Sequence, residues 1–156
     1  MNYLERLKER SKTFEYCLGA NSDEIQFAEK QLGVFFPKKY SQFLSECGMC
    51  NFGDTQIYGI FKTENKTVYS IVECTFMMRE LGNLPKDLIV LYFEEQEYLF
   101  LYKVSESERL EDSFVFGAEV DYGENEQIEI GELVKQWDSF EQYFEDFMTL
   151  GEEYYQ

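Results

Sequence analysis

The segment at residues 21–48, NSDEIQFAEKQLGVFFPKKYSQFLSECG, constrains the fold most because it predicts two short helices joined by a tight connection. Asn21 or Ser22 can cap the first helix, and Glu24 stands three residues after Asn21, as a reciprocal capping arrangement requires. Gly33 then supplies the residue that most often ends a helix, because glycine adopts the left-handed conformation without strain. The first helix is therefore bounded at both ends.

The second helix of this pair is predicted from Pro37, which suits the first helical position because its missing N–H costs nothing there. Gly48 marks its end. Apolar residues keep helical spacing in both helices, namely Ile25, Ala28 and Leu32 in the first and Tyr40, Phe43, Leu44 and Cys47 in the second. Two capped helices with facing apolar stripes form a hairpin onto which a sheet can pack.

A further amphipathic helix is expected before the hairpin, within residues 1–19. Its apolar positions are Leu4, Leu7, Phe14 and Leu18, and Arg6, Lys8, Arg10 and Lys12 lie on the other faces. The spacing predicts about four turns that end near Gly19. Acidic residues alternate with the basic ones, which favours a solvated face over a nucleic-acid site.

After the hairpin the pattern is less uniform. Residues 51–54 have the composition of a loop, and residues 56–61 (QIYGIF) indicate a strand. Residues 68–81 combine β-branched and aromatic side chains with helical periodicity, so strand and helix both remain open. The length of this segment favours a helix, ended by Gly82 and Pro85.

The second half of the chain predicts an antiparallel sheet. Two strands at 88–93 and 98–102 should form a hairpin apolar enough for the centre of that sheet. Further segments are a strand at 113–120, a turn at 121–126 and a short strand at 127–130. A last helix, capped by Asp138 with Glu141 at the third position, buries Phe140, Tyr143, Phe144 and Phe147 and stops at Gly151, before an acidic, fraying tail at 152–156.

These elements predict a single α+β domain over residues 1–156, with helices at both ends of the chain packed on a central antiparallel sheet. The chain has no 18-residue apolar run and no apolar segment near its start of the kind found in signal peptides. We therefore expect a cytoplasmic protein that neither spans nor binds a membrane.

The charge is strongly negative, −17 in total, and is concentrated late in the chain. Residues 94–132 contain thirteen Asp and Glu against two Lys and Arg, a balance of −11. A field of this sign repels nucleic acid and anionic membranes and attracts basic proteins. The tyrosines and phenylalanines among these acids favour a protein partner over simple solubility.

No catalytic pattern stands out. The chain has no histidine, which removes the usual general base and the Ser–His and Cys–His nucleophile pairs. Cys47 and Cys50 form a CxxC pattern, but the first cysteine ends a helix rather than starting one, so structural cysteines are the favoured interpretation over a redox pair. A zinc site lacks further ligands, no carboxylate pair is singled out for glycosidase chemistry, and no phosphate-binding loop occurs. We expect no catalytic residues, no cofactor and no metal.

The hairpin resembles the N-terminal signature of the SMI/KNR-type (SUKH) superfamily. That signature has a Glu-Ile helix start, an E-x-x-L-G helix end, a Phe-Pro step and a Y-x-x-F-L helix. The corresponding residues are Glu24-Ile25, Glu29 to Gly33, Phe36-Pro37, and Tyr40, Phe43 and Leu44. Leu84-Pro85 and the segment Trp137 to Phe144 resemble later parts of the family, so the likeness covers about residues 20–148. Cys47-Gly48 replaces the usual Asn-Gly turn, and Glu-Glu-Gln-Glu at 94–97 replaces a glycine-rich turn.

The resemblance implies an α+β fold used chiefly by bacterial immunity proteins, which neutralise toxins that are commonly nucleases. Eukaryotic relatives are regulatory interaction proteins, so a non-catalytic scaffold is the alternative function. The family has no known catalytic residues. Because a nuclease must be basic to hold phosphate, the acidic hairpin tips are the expected contact with a cognate toxin. The predicted partner-binding residues are Glu94, Glu95, Glu97, Asp121, Glu124 and Glu126, with Tyr92, Tyr98 and Tyr122 as anchors.

Overall fold

The computed structural model describes residues 2–10 and 14–154. It confirms the two helices of the predicted helical hairpin. The helices of the described residues are α1 (Tyr3–Arg10), α2 (Ser22–Leu32), α3 (Lys38–Cys47), α4 (Ser70–Gly82) and α5 (Phe140–Tyr154). Asn21 and Glu24 form the predicted capping box, and Gly33 is left-handed at φ 70°. Pro37 is the N-cap residue of α3 rather than its first helical residue, a shift of one position.

The strands are short except in the main sheet. They are β1 (Glu15–Tyr16), β2 (Cys50–Phe52), β3 (Thr55–Ile57), β4 (Phe61–Lys62), β5 (Thr67–Val68), β6 (Leu88–Glu94), β7 (Tyr98–Lys103), β8 (Val115–Tyr122), β9 (Ile128–Ile130) and β10 (Val134–Trp137). The main sheet is antiparallel in the order β10-β8-β7-β6, and β9 pairs with the far end of β8. The predicted α+β class with a central antiparallel sheet is confirmed.

Helices cover both faces of the main sheet. On one face Leu99 and Leu101 pack in a buried cluster with Met78 of α4. On the other, Tyr102 contacts Tyr40 of α3 and Phe140 of α5, with ring centroids 5.9 and 5.7 Å apart. This alternation follows from the two-residue period of a strand, which sends successive side chains to opposite faces. The apolar stripe of α3 therefore packs against α5 and the sheet together.

The prediction of one helix through Gly19 is wrong. The described helix ends at Arg10, Lys12 lies outside the described residues, and Glu15 and Tyr16 form β1, paired with Asn51 and Cys50. Phe14 leaves the helical line and packs on aromatic rings of β2 and α5. Leu18 is 53% exposed, so its helical spacing from Leu4 and Leu7 does not reflect burial in the core.

Residues 51–61 also differ from expectation. The predicted loop at 51–54 is a tight hairpin between β2 and β3, with its turn at Gly53 and Asp54. The predicted strand at 56–61 breaks after Ile57, because Gly59 approaches the Gly48 carbonyl more closely than any side chain permits. The Ile60 amide donates to that same carbonyl at 2.9 Å. Tertiary contact with the helical hairpin therefore interrupts the strand.

The segment at 68–81, open between strand and helix, forms α4 from Ser70, while Val68 belongs to β5. The hairpin of β6 and β7 is present, but only β7 lies inside the sheet, and β6 is its outer strand. Asp121 and Tyr122 extend β8 rather than starting a turn. Strand β10, which pairs with the first half of β8, was not predicted.

The last helix buries its predicted aromatic face, but both of its predicted ends are wrong. Ser139, not Asp138, caps α5, because its hydroxyl accepts from the Gln142 amide at 3.1 Å. Asp112, from a distant loop, accepts from the Phe140 amide at 2.9 Å. Gly151 lies inside the helix, where its missing side chain leaves room for Phe14. The helix runs to Tyr154 and residues 155–156 lie outside the described residues, so fraying of residues 152–156 stays a prediction.

Candidate functional site

Two turns lie side by side at one end of the main sheet. The first joins β6 to β7, and the Glu97 amide donates to the Glu94 carbonyl at 2.9 Å. Glu95 and Gln96, its central residues, have φ of 49° and 60°, and positive φ at both central residues is the mark of a type I′ turn. Glu94 pairs with Tyr98 across a loop of three residues. The sequence here lacks the Asn-Gly or Asp-Gly that usually supplies this geometry. The sequence therefore predicts the hairpin but not the type of its turn.

The second turn joins β8 to β9 and carries the same unusual backbone. Asn125 and Glu126 both have φ of 62°, and the Gly123 amide donates to the Gln127 carbonyl at 2.8 Å. The Tyr122 hydroxyl donates to the Gln96 carbonyl at 2.5 Å and so links the two turns. The register brings them together because β8 runs antiparallel to β7 and extends past its start.

The two turns and the adjoining strand ends carry a set of exposed carboxylates, which we call the acidic end of the sheet. Its members are Glu94, Glu95, Glu97, Glu119, Asp121, Glu124, Glu126 and Glu129. None of them forms an ion pair with a basic side chain among residues 2–10 and 14–154. Their charges therefore act on the surroundings of the protein rather than on internal partners.

The acidic block read from the sequence divides into two groups in space. Glu106 and Glu111 lie in the loop after β7 and pair with lysines at 3.8 and 3.6 Å. Asp112, in the same loop, accepts from the Tyr102 hydroxyl at 2.7 Å and caps α5. The two basic residues of the block, Lys103 and Arg109, are paired with Asp87 and Glu29. These internal partners remove Glu106, Glu111 and Asp112 from the candidate surface.

The three predicted tyrosine anchors differ in accessibility. Tyr122 is 55% exposed, and Tyr98 is half-buried, opposite Glu94 on one side and Glu119 on the other. Tyr92 is only 6% exposed, and its hydroxyl donates to the Asp54 carbonyl at 2.6 Å. Burial, followed by the nearby Glu94 carboxylate, raises the pKa of Tyr92. The structure thus brings Tyr98 and Tyr122 to the surface and sets Tyr92 beneath it.

Sequence reasoning missed several residues of this region. Glu119 and Glu129 face the same way as Asp121, because β8 and β9 pair Asp121 with Glu129 directly. Glu119 alternates with Ala118 and Val120 along β8, so the two-residue period of that strand was a usable signal. Trp137 and Asp146 also border the region and share a hydrogen bond of 2.6 Å. No local sequence pattern predicts that contact, because it joins residues of two different elements, β10 and α5.

The CxxC pattern lies elsewhere and lacks the setting of a reactive thiol. Cys47 is the last residue of α3 and Cys50 the first of β2, and both are fully buried. Burial, with Glu46 adding to it, raises the pKa of the Cys47 thiol to about 12, so its thiolate is scarce at neutral pH. Across the described parts of the chain, no group of three or more Cys, Asp or Glu side chains is placed to hold a metal ion.

Comparison with known families identifies the class of protein. The chain matches the SUKH_5 family model, described as SMI1-KNR4 cell-wall, over residues 1–149. It therefore belongs to the SUKH (SMI1-KNR4) family, whose members are generally non-catalytic immunity proteins. No curated protein matches the chain. Within the described residues, no helix has the length and apolar character needed to cross a membrane.

Proposed function

We propose that this protein is a cytoplasmic immunity protein that binds a cognate toxin, a basic nuclease domain, and blocks its active site without catalysing a reaction. The observation that supports the proposal is the acidic end of the sheet, where exposed carboxylates lack basic partners among the described residues. A nuclease concentrates Lys and Arg where it holds phosphate, so the two surfaces are complementary in charge.

The proposed mechanism is occlusion. Carboxylates of the two turns occupy positions that substrate phosphates would take, and the exposed Tyr122 and half-buried Tyr98 supply contact area near the centre. Long-range attraction steers the encounter, and association then reaches about 10⁸–10⁹ M⁻¹s⁻¹ at low salt. The Tyr122–Gln96 hydrogen bond holds the turns together before binding, which reduces the entropy lost on association.

The test is a charge-reversal variant measured against a matched control. Glu95→Lys, Asp121→Lys and Glu124→Lys together change the net charge by six at the acidic end of the sheet. Glu64→Lys, Glu80→Lys and Glu108→Lys make the same change at exposed positions elsewhere. Stopped-flow association with a toxin domain encoded beside this protein should slow by at least tenfold, and lose most of its salt dependence, only for the first variant.

The association rates test the binding surface, and a separate assay tests the immunity function. Equal slowing in both variants would mean that net charge alone matters, and unchanged association in the first would remove the acidic end of the sheet from the interface. Protection of cells that co-express the toxin tests the function itself. Failure to protect against any neighbouring toxin would overturn the immunity role.

The second candidate function is a non-catalytic regulatory scaffold with an endogenous partner, and the cell-wall description of the matched family favours it. Gene context discriminates the two, since a neighbouring long toxin with a C-terminal nuclease domain supports immunity. A redox activity is tested separately. Cys47→Ser with Cys50→Ser should retain full protection, because both thiols are buried and burial raises the pKa of Cys47 to about 12.

A further inference from the structure

A small cavity of about 90 Å³ opens where α5 crosses the main sheet, beside the acidic end of the sheet. Phe100 of β7 lines it, surrounded by other rings that line the same cavity. Its ring centroid lies 5.8 Å from that of Trp137, 5.9 Å from that of Tyr143 and 6.1 Å from that of Tyr92. Aromatic rings thus form much of the wall of this open cavity, which is large enough for a few water molecules.

Two carboxylates also line this aromatic cavity. Glu94 comes from the end of β6 and Asp146 from the middle of α5, and both are exposed. Trp137 Nε1 donates to Asp146 Oδ2 at 2.6 Å, which holds that carboxylate beside the rings. The lining residues include no Lys or Arg. The site therefore combines fixed negative charge with aromatic surface and has no cation of its own.

The Tyr143 side chain supplies an independent sign that a ligand belongs here. Tyr143 lines the cavity and is only 5% exposed. Among residues 2–10 and 14–154 its hydroxyl takes part in no hydrogen bond, and it is not one of the fully enclosed polar atoms, so it faces the space of the cavity. A donor entering from outside would satisfy it.

We propose that this cavity receives an arginine side chain from the protein partner. A guanidinium is planar and stacks on aromatic faces, and its several N–H groups can serve two carboxylates and one hydroxyl oxygen together. A lysine ammonium has the charge but not the flat surface. The source of the arginine rests on the proposed function, whereas the chemistry of the site does not.

The test uses Trp137, the single tryptophan of the chain, as its reporter. N-acetyl-arginine-methylamide is titrated against the full chain while tryptophan fluorescence is followed, with the citrulline and lysine derivatives in parallel. The arginine compound should give a saturable response in the millimolar range, roughly 1–100 mM for one side chain. Citrulline matches its shape without the charge and should bind at least tenfold more weakly.

Variants test whether the fluorescence response comes from binding in this cavity. Glu94→Gln should weaken arginine binding severalfold, and Tyr143→Phe, which keeps the ring, should weaken it about twofold to tenfold through one hydrogen bond. Glu64→Gln, at an exposed position outside both the cavity lining and the acidic end of the sheet, is the matched control and should bind as the parent does. Near-equal binding of lysine and arginine, or no saturable response, would overturn the proposal.

The outcome is distinguishable from failure of the proposed function. If the arginine compound binds but no toxin does, the immunity role fails and the site stands. If a toxin binds with the same affinity to the parent and to Glu94→Gln, and the arginine compound gives no response, the site fails and the immunity role stands.

Discussion

Replacing Glu29 by alanine should remove a buried contact that joins the helical hairpin to the loop after β7. Glu29 Oε2 accepts from the Phe36 amide at 2.7 Å and from Arg109 Nη1 at 2.6 Å, while Oε1 accepts from Arg109 Nη2 at 3.2 Å. Arg109 Nη1 also donates to the Phe36 carbonyl at 2.8 Å. Glu29 is the glutamate of the E-x-x-L-G pattern, so a residue of the family signature has a structural task.

The size of the effect follows from the burial of the two partners. Removing one member of a buried ion pair costs roughly 3–5 kcal/mol. The Glu29 side chain is 8% exposed, but that of Arg109 is 37% exposed, so water can solvate the guanidinium once its partner is gone. The Phe36 amide stays buried without an acceptor. We therefore expect a loss of about 2–4 kcal/mol in the free energy of unfolding.

Urea unfolding followed by circular dichroism measures this loss, and thermal unfolding gives a second estimate. A loss of about 3 kcal/mol lowers the Tm of a chain of this length by roughly 6–12 °C. Lys30→Ala, at the exposed neighbouring position, is the control and should change stability by less than about 0.5 kcal/mol. A loss below about 1 kcal/mol for Glu29→Ala would refute the role assigned to this contact.

Three further predictions concern stability and local order. Gly151→Ala should cost about 1–3 kcal/mol in thermal unfolding, because a Cβ atom there would lie 2.6 Å from Phe14 Cζ. The Arg10 guanidinium holds the pKa of Glu145 below its usual value. This pair therefore stabilises the fold at pH values above the unfolded pKa of about 4.3. The stabilisation is lost as the pH falls through the lower pKa of the folded state. In Glu145→Gln the loss of stability between neutral and strongly acid pH should be smaller. Tyr122→Phe should speed amide hydrogen exchange at Glu97, because the hydroxyl that links the two turns is gone.

Each of these predictions has an outcome that contradicts it. An unchanged Tm for Gly151→Ala would mean that Phe14 moves aside freely. An identical acid titration of stability in Glu145→Gln would mean that the ion pair adds nothing to folding. Exchange at Glu97 that is unaffected by Tyr122→Phe would mean that the first turn keeps its shape without the second.

Local patterns were sufficient where a signal and its structural cause lie within a few residues of each other. The capping box at Asn21 and Glu24 and the left-handed Gly33 are of this kind, because caps satisfy backbone groups of their own helix. The aromatic face of α5 was also read correctly, since side chains three and four residues apart share one side of a helix. These elements carried both the fold class and the family resemblance.

Patterns misled where a distant segment decided the local structure. Gly151 looked like a helix stop, but α5 continues through it because Phe14 fills the space that a side chain would take. Asp138 looked like the cap of α5, yet the backbone amides at its start are satisfied by Ser139 and by Asp112. A local reading cannot supply a hydrogen-bond acceptor or an aromatic ring from another part of the chain.

The sequence by itself determined the helical hairpin, the acidic balance and the family, because each depends on residue identity or on contacts of short range. Only the tertiary structure decided which acids form a surface. It separated Glu106, Glu111 and Asp112, which have internal partners, from the unpaired carboxylates of the two turns. It also placed Trp137 and Asp146 against β6 and β7, because the register of the sheet and the crossing of α5 join residues far apart in the chain.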